Sequence, residues 1–276
     1  MGRTIACANQ KGGVGKTTTV VNLASFLSRA GERVLIIDLD PQGNATSGLG
    51  IERRTLDHST YDAIVDGVEL RSIILHGIDG TVDIAPATIA LAGADVELAG
   101  ATARERRLQR LLEPIRVDYD HIFIDCPPSL GLLTVNALTA ADAVLIPLQS
   151  EYYALEGLTQ LLATIDLVRD HLNPRLAIEG VVVTMADART NLSSDVEAEA
   201  RRHLGASVYE TVIPRSVRLS EAPSHGKSIA AYAADSRGGL AYAALAAEFQ
   251  ARASGTSPNR LVGIPIERSG DLVALS

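Results

Sequence analysis

Short apolar runs alternate with amphipathic stretches along most of the sequence. The apolar runs are brief, rich in β-branched residues and bounded by turn-forming residues, which is typical of buried strands. We predict strands at residues 4–8, 33–37, 79–85, 121–124, 143–147, 177–184 and 208–213. Apolar residues three or four positions apart predict helices between these strands. We place the helices at residues 16–29, 88–112 (two helices that break near Gly100), 130–140, 154–172 and 239–252.

This alternation decides the fold class. Strands that are apolar on both faces and are separated by helices form a mostly parallel central β-sheet, which the helices flank on both faces. No linker rich in Pro, Gly or Ser interrupts the pattern before Ser254, so we predict one α/β domain over residues 1–253. Residues 254–276 hold two prolines and three glycines without a sustained period, which predicts a flexible C-terminal tail.

Composition narrows the possible classes of function. The formal net charge of −8 excludes a basic surface over the whole chain, so any DNA contact must come from a local patch. Two cysteines are too few for a disulfide framework or a cysteine-based zinc site, and they fit a reducing cytoplasm. Of the 25 basic residues, only Lys11, Lys16 and Lys227 are lysines. Because nearly all basic residues of this chain are arginines, each lysine is a candidate for a site that needs a compact ammonium group.

A glycine-rich segment joins the first strand to the first helix, as a P-loop requires. Its glycines let backbone N–H groups turn toward phosphate oxygens, and the helix N-terminus favours an anion. We predict that Lys16 reaches the outer phosphates and that the Thr17 hydroxyl coordinates Mg²⁺. Gln10 replaces the usual first glycine, and Lys11 adds a second cation that can neutralise charge as the γ-phosphoryl group leaves. The predicted nucleotide-binding residues of this loop are Lys11, Gly12, Gly13, Val14, Gly15, Lys16, Thr17 and Thr18.

Residues 11–18 resemble the deviant Walker A motif of the ParA/MinD class of P-loop ATPases. Further stretches are similar to motifs of ParA proteins, and the last three of them resemble the chromosomal ParA (Soj) branch in particular. These stretches are residues 38–46, 125–129, 151–157, 187–191 and 214–224. The resemblance covers residues 1 to about 252, and it implies a P-loop NTPase fold of the α/β type.

The resemblance also implies a function. The protein is expected to be a Mg²⁺-dependent ATPase that uses ATP hydrolysis to segregate chromosomes or plasmids. Its ATP-bound homodimer is expected to bind double-stranded DNA nonspecifically, and a ParB-like centromere-binding partner is expected to stimulate hydrolysis. Such a protein would be cytoplasmic and nucleoid-associated, without stable membrane association.

Individual residues take their expected roles from the matching motifs. Asp40 follows a strand end, where a carboxylate can orient or deprotonate the attacking water. The resemblance implies this catalytic role for Asp40, with Lys11 and Lys16 acting on the phosphates. Asp38, two residues earlier, is interpreted as a structural hydrogen-bond acceptor. Asp125 ends another strand, and its predicted role is a link to Mg²⁺ through water.

Two further groups complete the predicted sites. The resemblance implies that Pro214 and Arg215 form part of the adenine pocket. The resemblance implies that Arg189, Arg218 and Lys227 contact DNA phosphates without reading bases. Residues 212–229 hold three basic residues against one acidic residue, and two serines follow Arg189 closely.

Three other classes of protein share this type of nucleotide-binding motif. A MinD-like membrane-associated ATPase would need a C-terminal amphipathic helix, which the proline and glycines of residues 260–276 disfavour. A reductase of the nitrogenase iron-protein type would need cysteines placed to bridge an iron–sulfur cluster, whereas Cys7 and Cys126 are interpreted as packed side chains. A tyrosine kinase of the same ATPase class would need a C-terminal tyrosine cluster, which the sequence lacks.

Overall fold

The computed structural model describes residues 2–151, 154–187, 189 and 191–254, and these residues form one central sheet. Its strands are β1 (Arg3–Cys7), β2 (Val34–Asp38), β3 (Leu75–Ile78), β4 (Val82–Ala85), β5 (His121–Asp125), β6 (Ala143–Gln149) and β7 (Ala177–Thr184). Their order across the sheet is β3-β4-β2-β5-β1-β6-β7. All neighbouring strands are parallel except β3 and β4, which are antiparallel.

Helices cover both faces of this sheet. They are α1 (Lys16–Arg29), α2 (Asn44–Gly48), α3 (Leu70–Ile73), α4 (Ala94–Glu97), α5 (Arg107–Leu112), α6 (Leu132–Ala140), α7 (Ala154–His171), α8 (Asn191–Leu204), α9 (Val217–Glu221), α10 (Ile229–Tyr232) and α11 (Arg237–Ala253). A π-helical turn spans Asp62–Asp66, and short 3₁₀ turns lie at Arg53–Thr55, Ile89–Gly93, Arg104–Arg106, Arg116–Asp118, Gly205–Ser207 and Ala222–His225. Within the described ranges, no helix combines the length and apolar character needed to span a bilayer.

Apolar side chains fill the space on each side of the sheet. On one face, α1 and α11 contribute Val20, Leu245 and Phe249, which are fully buried. On the other face, Leu138 of α6 and Leu161 of α7 are fully buried. Burying a side chain of this size stabilises the fold by about 1.5–3 kcal/mol. These contacts hold the helices against strands that are apolar on both sides, and so they hold the loops at the strand ends in place.

The predicted α/β class with a mostly parallel sheet is confirmed. The helix predicted at 16–29 and the strand predicted at 177–184 have the bounds observed for α1 and β7. The predictions for β1, β2, β5, β6, α6, α7 and α11 agree within one or two residues at each end. The hydrophobic period predicted these elements, but α8, whose Val196 and Ala200 are buried in the core, was not predicted.

The strand predicted at 208–213 is wrong. Val208 pairs with β7 as an isolated bridge, and no strand forms. The N–H groups of Glu210 and Thr211 donate to the carboxylate of Glu248 on α11, each at 2.9 Å. The N–H groups of Tyr209 and Ile213 still donate to β7, at the carbonyls of Val181 and Val183, so the pairing is interrupted between them.

Two further predictions differ in detail from the structure. Residues 79–85 begin as a tight turn before β4, and the antiparallel edge strand β3 that precedes this turn was not predicted. Residues 88–112 form short pieces, among them α4 and α5, rather than two helices; no side chain caps either helix. The predicted tail, residues 254–276, lies outside the described residues apart from Ser254.

Candidate nucleotide-binding site

The loop between β1 and α1 has the backbone geometry of a phosphate cradle. Gly13 and Gly15 adopt left-handed φ angles of 74° and 89°, which residues with a side chain rarely adopt. Gly15 is the N-cap residue of α1 and has no side chain with which to cap this helix. The first N–H groups of α1 therefore favour an anionic ligand. Thr184 at the end of β7 supports the loop, because its hydroxyl donates to the carbonyl of Val14 at 2.8 Å.

Two lysine side chains stand at this loop in different environments. Lys16 is 7% exposed, and its Nζ donates to the carbonyl of Lys11 at 3.3 Å. The Nζ of Lys11 lies 2.7 Å from Oε2 of Glu151 in an exposed ion pair. Gln149 donates to the other carboxylate oxygen of Glu151 at 2.6 Å. The structure thus brings both predicted lysines to one loop, with Lys16 buried and Lys11 held by Glu151.

Three aspartates converge where β2 and β5 end. Asp38 and Asp125 are register partners on these neighbouring strands, and Asp40 follows shortly after Asp38. Asp38 accepts two hydrogen bonds from Thr46, one from its N–H (2.8 Å) and one from its hydroxyl (2.6 Å). Burial raises the pKa of Asp38 to about 6, although the bonds from Thr46 oppose this rise. Asp38 therefore acts as the structural acceptor that the sequence indicated.

Asp125 differs from Asp38 because no donor satisfies it. Both of its carboxylate oxygens are buried and lack a hydrogen-bond partner among the described residues. Burial and then the charge of Asp38 raise its pKa well above the usual value, while Thr17 and Lys16 lower it. The Thr17 hydroxyl is therefore close to this carboxylate. A buried carboxylate in this state is costly unless a cation or a bound water compensates it.

These residues fit a bound magnesium ion. Mg²⁺ is usually held by one or two protein groups and takes its remaining ligands from water and substrate phosphates. The unsatisfied carboxylate of Asp125, beside the hydroxyl of Thr17, offers such a set at the foot of the phosphate cradle. In the part of the chain that is described, no group of three or more His, Cys, Asp or Glu residues could hold a metal by itself.

Asp40 lies at the turn that leads into α2. It is 6% exposed, and its Oδ1 accepts a hydrogen bond from the N–H of Gln42 at 2.9 Å. This bond orients the carboxylate at the edge of the sheet where the phosphate cradle opens. The position is compatible with the predicted role in activating water, which stays a prediction.

The predicted adenine-pocket residues lie beside the end of β7. Pro214 forms an isolated bridge with Ala186, and the N–H of Arg215 donates to the carbonyl of Ala186 at 3.0 Å. Ala186 closely follows Thr184, whose hydroxyl supports the phosphate cradle. Pro214 and Arg215 are therefore tied to the same strand end as the cradle, although their contact with adenine stays a prediction.

The predicted DNA contacts are exposed cations in two neighbouring segments. The side chain of Arg189 is 86% exposed and bonds to both carboxylate oxygens of Asp187, at 2.9 and 2.6 Å. Arg189, and further the charge of Arg215, hold the pKa of Asp187 well below its usual range. The side chain of Arg218 is 58% exposed and pairs with a glutamate on its own helix, α9. Lys227 is exposed in the loop that follows.

Sequence reasoning missed the supporting roles of three residues. Glu151 binds Lys11, Thr46 holds Asp38, and Asn9 ties the loop to β6 by donating to the carbonyl of Pro147 at 2.7 Å. Glu151 and Thr46 belong to stretches that already resembled family motifs, which was the available signal. Their partners could not be read from spacing, because Lys11 and Glu151 are 140 positions apart.

The sequence of the chain is similar to those of known proteins. Residues 2–178 match the family described as an AAA domain. The chain is 58% identical over 251 residues to the sporulation initiation inhibitor protein Soj of Bacillus subtilis (strain 168), covering 91% of this chain and 99% of that protein. The chain belongs to the ParA/Soj family. It is also 50% identical over 262 residues to the chromosome partitioning protein ParA of Myxococcus xanthus (strain DK1622), covering 95% of this chain and 93% of that protein.

A solved structure resembles this ParA/Soj fold closely. It is the cobyrinic acid a,c-diamide synthase from Mycobacterium smegmatis with bound ADP and magnesium, at a TM-score of 0.81 and 36% identity. The alignment covers 96% of this chain and 100% of that chain. Family membership confirms the resemblance seen in the motifs. Cys7 and Cys126 are free and buried in this ParA/Soj protein, and burial raises the pKa of both thiols, as expected for packed side chains.

Proposed function

We propose that this protein is a Mg²⁺-dependent ATPase whose ATP-bound homodimer binds DNA and segregates chromosomes or plasmids. The observation that carries the proposal is the pair Lys11 and Lys16 in a glycine-lined cradle, beside the unsatisfied carboxylate of Asp125. The identity to a chromosome partitioning protein of Myxococcus xanthus supports the cellular role. The ADP and magnesium in the similar Mycobacterium smegmatis structure support the ligands.

The chain's own residues bind and orient the nucleotide in this proposal. Lys16 and the N–H groups of the cradle hold the phosphates, while Pro214 and Arg215 border the adenine. Thr17 and, through water, Asp125 would hold Mg²⁺, which would supply positive charge against the phosphates. The remaining cradle residues are Gly12, Gly13, Val14, Gly15 and Thr18.

Asp40 prepares the water for hydrolysis. Its carboxylate, oriented by Gln42, accepts a hydrogen bond or the proton from the water that attacks the γ-phosphorus. The bond from the γ-phosphorus to the bridging oxygen breaks, and ADP and inorganic phosphate form. Lys16 and Lys11 neutralise the charge that develops on the departing phosphates.

Nucleotide state controls DNA affinity through dimerisation. Lys11 of each subunit leaves Glu151 and reaches the nucleotide bound by the other subunit. Arg189, Arg218 and Lys227 of each subunit contact DNA phosphates, and two such patches on one duplex bind far more tightly than one. Hydrolysis separates the subunits and releases the DNA. A ParB-like partner stimulates that step, and the protein resides on the nucleoid in the cytoplasm.

Salt-dependent DNA binding tests this function. The full chain is mixed with duplexes of unrelated sequence in the presence of ATP, ADP or no nucleotide, at several salt concentrations. Tight binding is expected with ATP alone, independent of sequence and weakened by salt, while anionic phospholipid vesicles should not pellet the protein. A chain that stays monomeric with Mg²⁺ and ATP, even as the Asp40→Ala variant, contradicts the proposal.

A further inference from the structure

The loop that carries Lys227 touches the backbone that follows α2. Gly226, directly before Lys227, has a φ of 64°, and Gly50, after α2, has a φ of 81°. A Cβ atom placed on Gly226 would lie 2.7 Å from the Cα of Gly50 and 3.1 Å from its nitrogen. Because backbone atoms rather than a flexible side chain fill that space, a larger residue at 226 would push the two segments apart.

Helix α2 connects this contact to the catalytic edge of the sheet. The helix follows Asp40, and its Thr46 donates twice to the buried Asp38. At the far end of α2, a Cβ on Gly48 would lie 3.6 Å from the Cβ of Pro223, in the segment that leads to Lys227. Helix α2 is therefore in contact with the Lys227 loop at one end and follows Asp40 at the other.

The P-loop helix α1 holds the other end of the same loop. The Oδ1 of Asn22 accepts a hydrogen bond from the N–H of Ile229 at 2.7 Å. The Nδ2 of Asn22 donates to the carbonyl of Thr18, also at 2.7 Å. Thr18 belongs to the phosphate cradle, so a single side chain bridges the cradle to the backbone two residues beyond Lys227. Ile229 and Asn22 are 0% and 5% exposed, which favours a rigid bridge.

Hydrogen bonds to Asp79 hold the residue after Lys227. Ser228, 1% exposed, and Ser25 of α1 both donate to Oδ2 of Asp79 in the turn between β3 and β4. Asp79 adopts a φ of 54°, a conformation that is uncommon for a residue with a side chain. The residues on both sides of Lys227 are thus anchored, while its own side chain stays exposed.

We propose that Asn22, Gly50 and Gly226 are positioning residues that make the placement of Lys227 depend on the nucleotide. The proposal rests on the proposed function, since it takes Lys227 as a DNA contact and ATP as the ligand of the cradle. A lysine on an unattached loop would meet DNA phosphates equally well in every nucleotide state. Because the loop of Lys227 is attached to both α1 and α2, the positions of these helices in the ATP-bound state decide where Lys227 lies. Nucleotide state and DNA affinity are then coupled within each subunit, in addition to the avidity of the dimer.

Gly226→Ala tests the contact, and Gly77→Ala is its matched control. Gly77 has a φ of 66°, so alanine suffers the same backbone strain there, but a Cβ atom at this position would have no atom of the described residues within 4 Å. The affinity of the full chain for a DNA duplex is measured with a slowly hydrolysed ATP analogue and with ADP. We expect the ratio of the two affinities to fall about fivefold or more in Gly226→Ala, with nucleotide affinity kept, and to stay at the parent value in Gly77→Ala.

A second measurement separates positioning from a merely structural effect. In a Lys227→Ala background, Gly226→Ala should cost little further DNA affinity, because the side chain that it misplaces is already gone. Asp79→Gly is an independent variant that removes the hydrogen bonds of Ser228 and Ser25 to Asp79. Glycine adopts the positive φ of this position readily, so the backbone is not strained. This variant should also lower DNA affinity in the ATP state.

The outcomes distinguish this inference from the function on which it rests. A parent protein whose DNA affinity ignores ATP overturns the proposed function itself. Two results overturn the positioning role alone when the DNA affinity of the parent does respond to ATP. In the first, Gly226→Ala keeps the parent's ratio of DNA affinities. In the second, the losses of DNA affinity caused by Gly226→Ala and Lys227→Ala add fully in the double variant. If Gly226→Ala does not fold, the same two criteria apply to Asp79→Gly.

Discussion

The ammonium group of Lys11 lies 2.7 Å from a carboxylate oxygen of Glu151 in the same subunit. Gln149 donates to the second oxygen of Glu151, which keeps that carboxylate facing the lysine. The side chains of Lys11 and Glu151 are 35% and 48% exposed, so the pair contributes at most about 1 kcal/mol. In the proposed dimer, Lys11 exchanges this partner for the phosphates of the other subunit's nucleotide. The ion pair therefore opposes dimerisation weakly.

Glu151→Gln should tighten ATP-dependent dimerisation. The substitution removes the charge that competes for Lys11, and the gain is at most about fivefold per subunit because the pair is exposed. Sedimentation with a slowly hydrolysed ATP analogue measures it. Lys11→Ala is the opposing control and should abolish dimerisation while Lys16 still binds nucleotide. Weaker dimerisation of Glu151→Gln would show that Glu151 assists the dimer rather than competing with it.

Asp40→Ala should bind ATP, dimerise and persist on DNA while hydrolysing slowly. Loss of a general base or of a group that orients water lowers the rate by about 10²–10⁴-fold. Phosphate release and DNA dissociation are measured together on the same preparation. Normal turnover by this variant would remove Asp40 from the mechanism.

The sequence predicts the fold well where elements span the core and poorly at the margins. β7 and α1 have the predicted bounds because their apolar period reflects full burial. β3, with the sequence Leu-His-Gly-Ile, lies at the sheet edge with no buried residue, so no period signals it. The pattern at 208–213 predicts a strand, but the carboxylate of Glu248, distant in sequence, accepts the N–H groups of Glu210 and Thr211.

The sequence likewise predicts some features of the candidate site and not others. The cradle and the aspartates at strand ends are local features, so their motifs and the parallel topology predict where Lys16, Asp40 and Asp125 converge. The ion pair of Lys11 with Glu151 and the contact of Gly50 with Gly226 join segments far apart in the chain. Such contacts depend on how the loops pack, which no periodicity encodes.

Thr46→Val should destabilise the fold by about 1–3 kcal/mol. The Thr46 hydroxyl donates to Asp38 at 2.6 Å and accepts from the N–H of Ala87 at 2.9 Å, so valine leaves a buried donor without its partner. Thr46→Ser keeps the hydroxyl and is the control. Urea unfolding compares the free energies. Equal stability of the valine and serine variants would show that these hydrogen bonds contribute nothing net.

Arg218→Ala should weaken DNA binding and lower its salt dependence. Each phosphate contact contributes about 0.9 to the slope of log affinity against log salt, so losing one contact per subunit lowers the slope of the dimer by about 2. Fluorescence anisotropy at several salt concentrations measures the slope. Arg175→Ala is the control, because this exposed arginine precedes the amino end of β7, whereas Arg189 and Arg215 lie beyond the carboxyl end of that strand. Identical slopes for parent and Arg218→Ala would place the DNA patch elsewhere.

His121 makes stability depend on pH. Its ring packs edge-on against Phe249 at 5.1 Å between centroids, and its Nε2 lies 2.7 Å from Glu32. Burial lowers the pKa of His121, against the opposing charge of Glu32. The unfolded chain, with a histidine pKa of about 6.5, therefore binds a proton more readily than the folded protein. The His121 ring therefore leaves the free energy of unfolding unchanged well above the unfolded pKa of about 6.5, and it lowers that free energy as pH drops below about 6.5.

His121→Gln should flatten this dependence. Urea unfolding between about pH 5 and pH 8 gives the slope, which for one proton is at most about 1.4 kcal/mol per pH unit. His171→Gln, at an exposed histidine that ends α7, should keep the slope of the parent. The overall stability of His121→Gln is expected to be lower, but its slope is a separate readout. Because the buried Asp38, whose pKa burial raises to about 6, contributes with the opposite sign in this range, the readout is the difference between the two slopes. A variant that loses more stability than the parent as pH falls would reverse the sign assigned to His121.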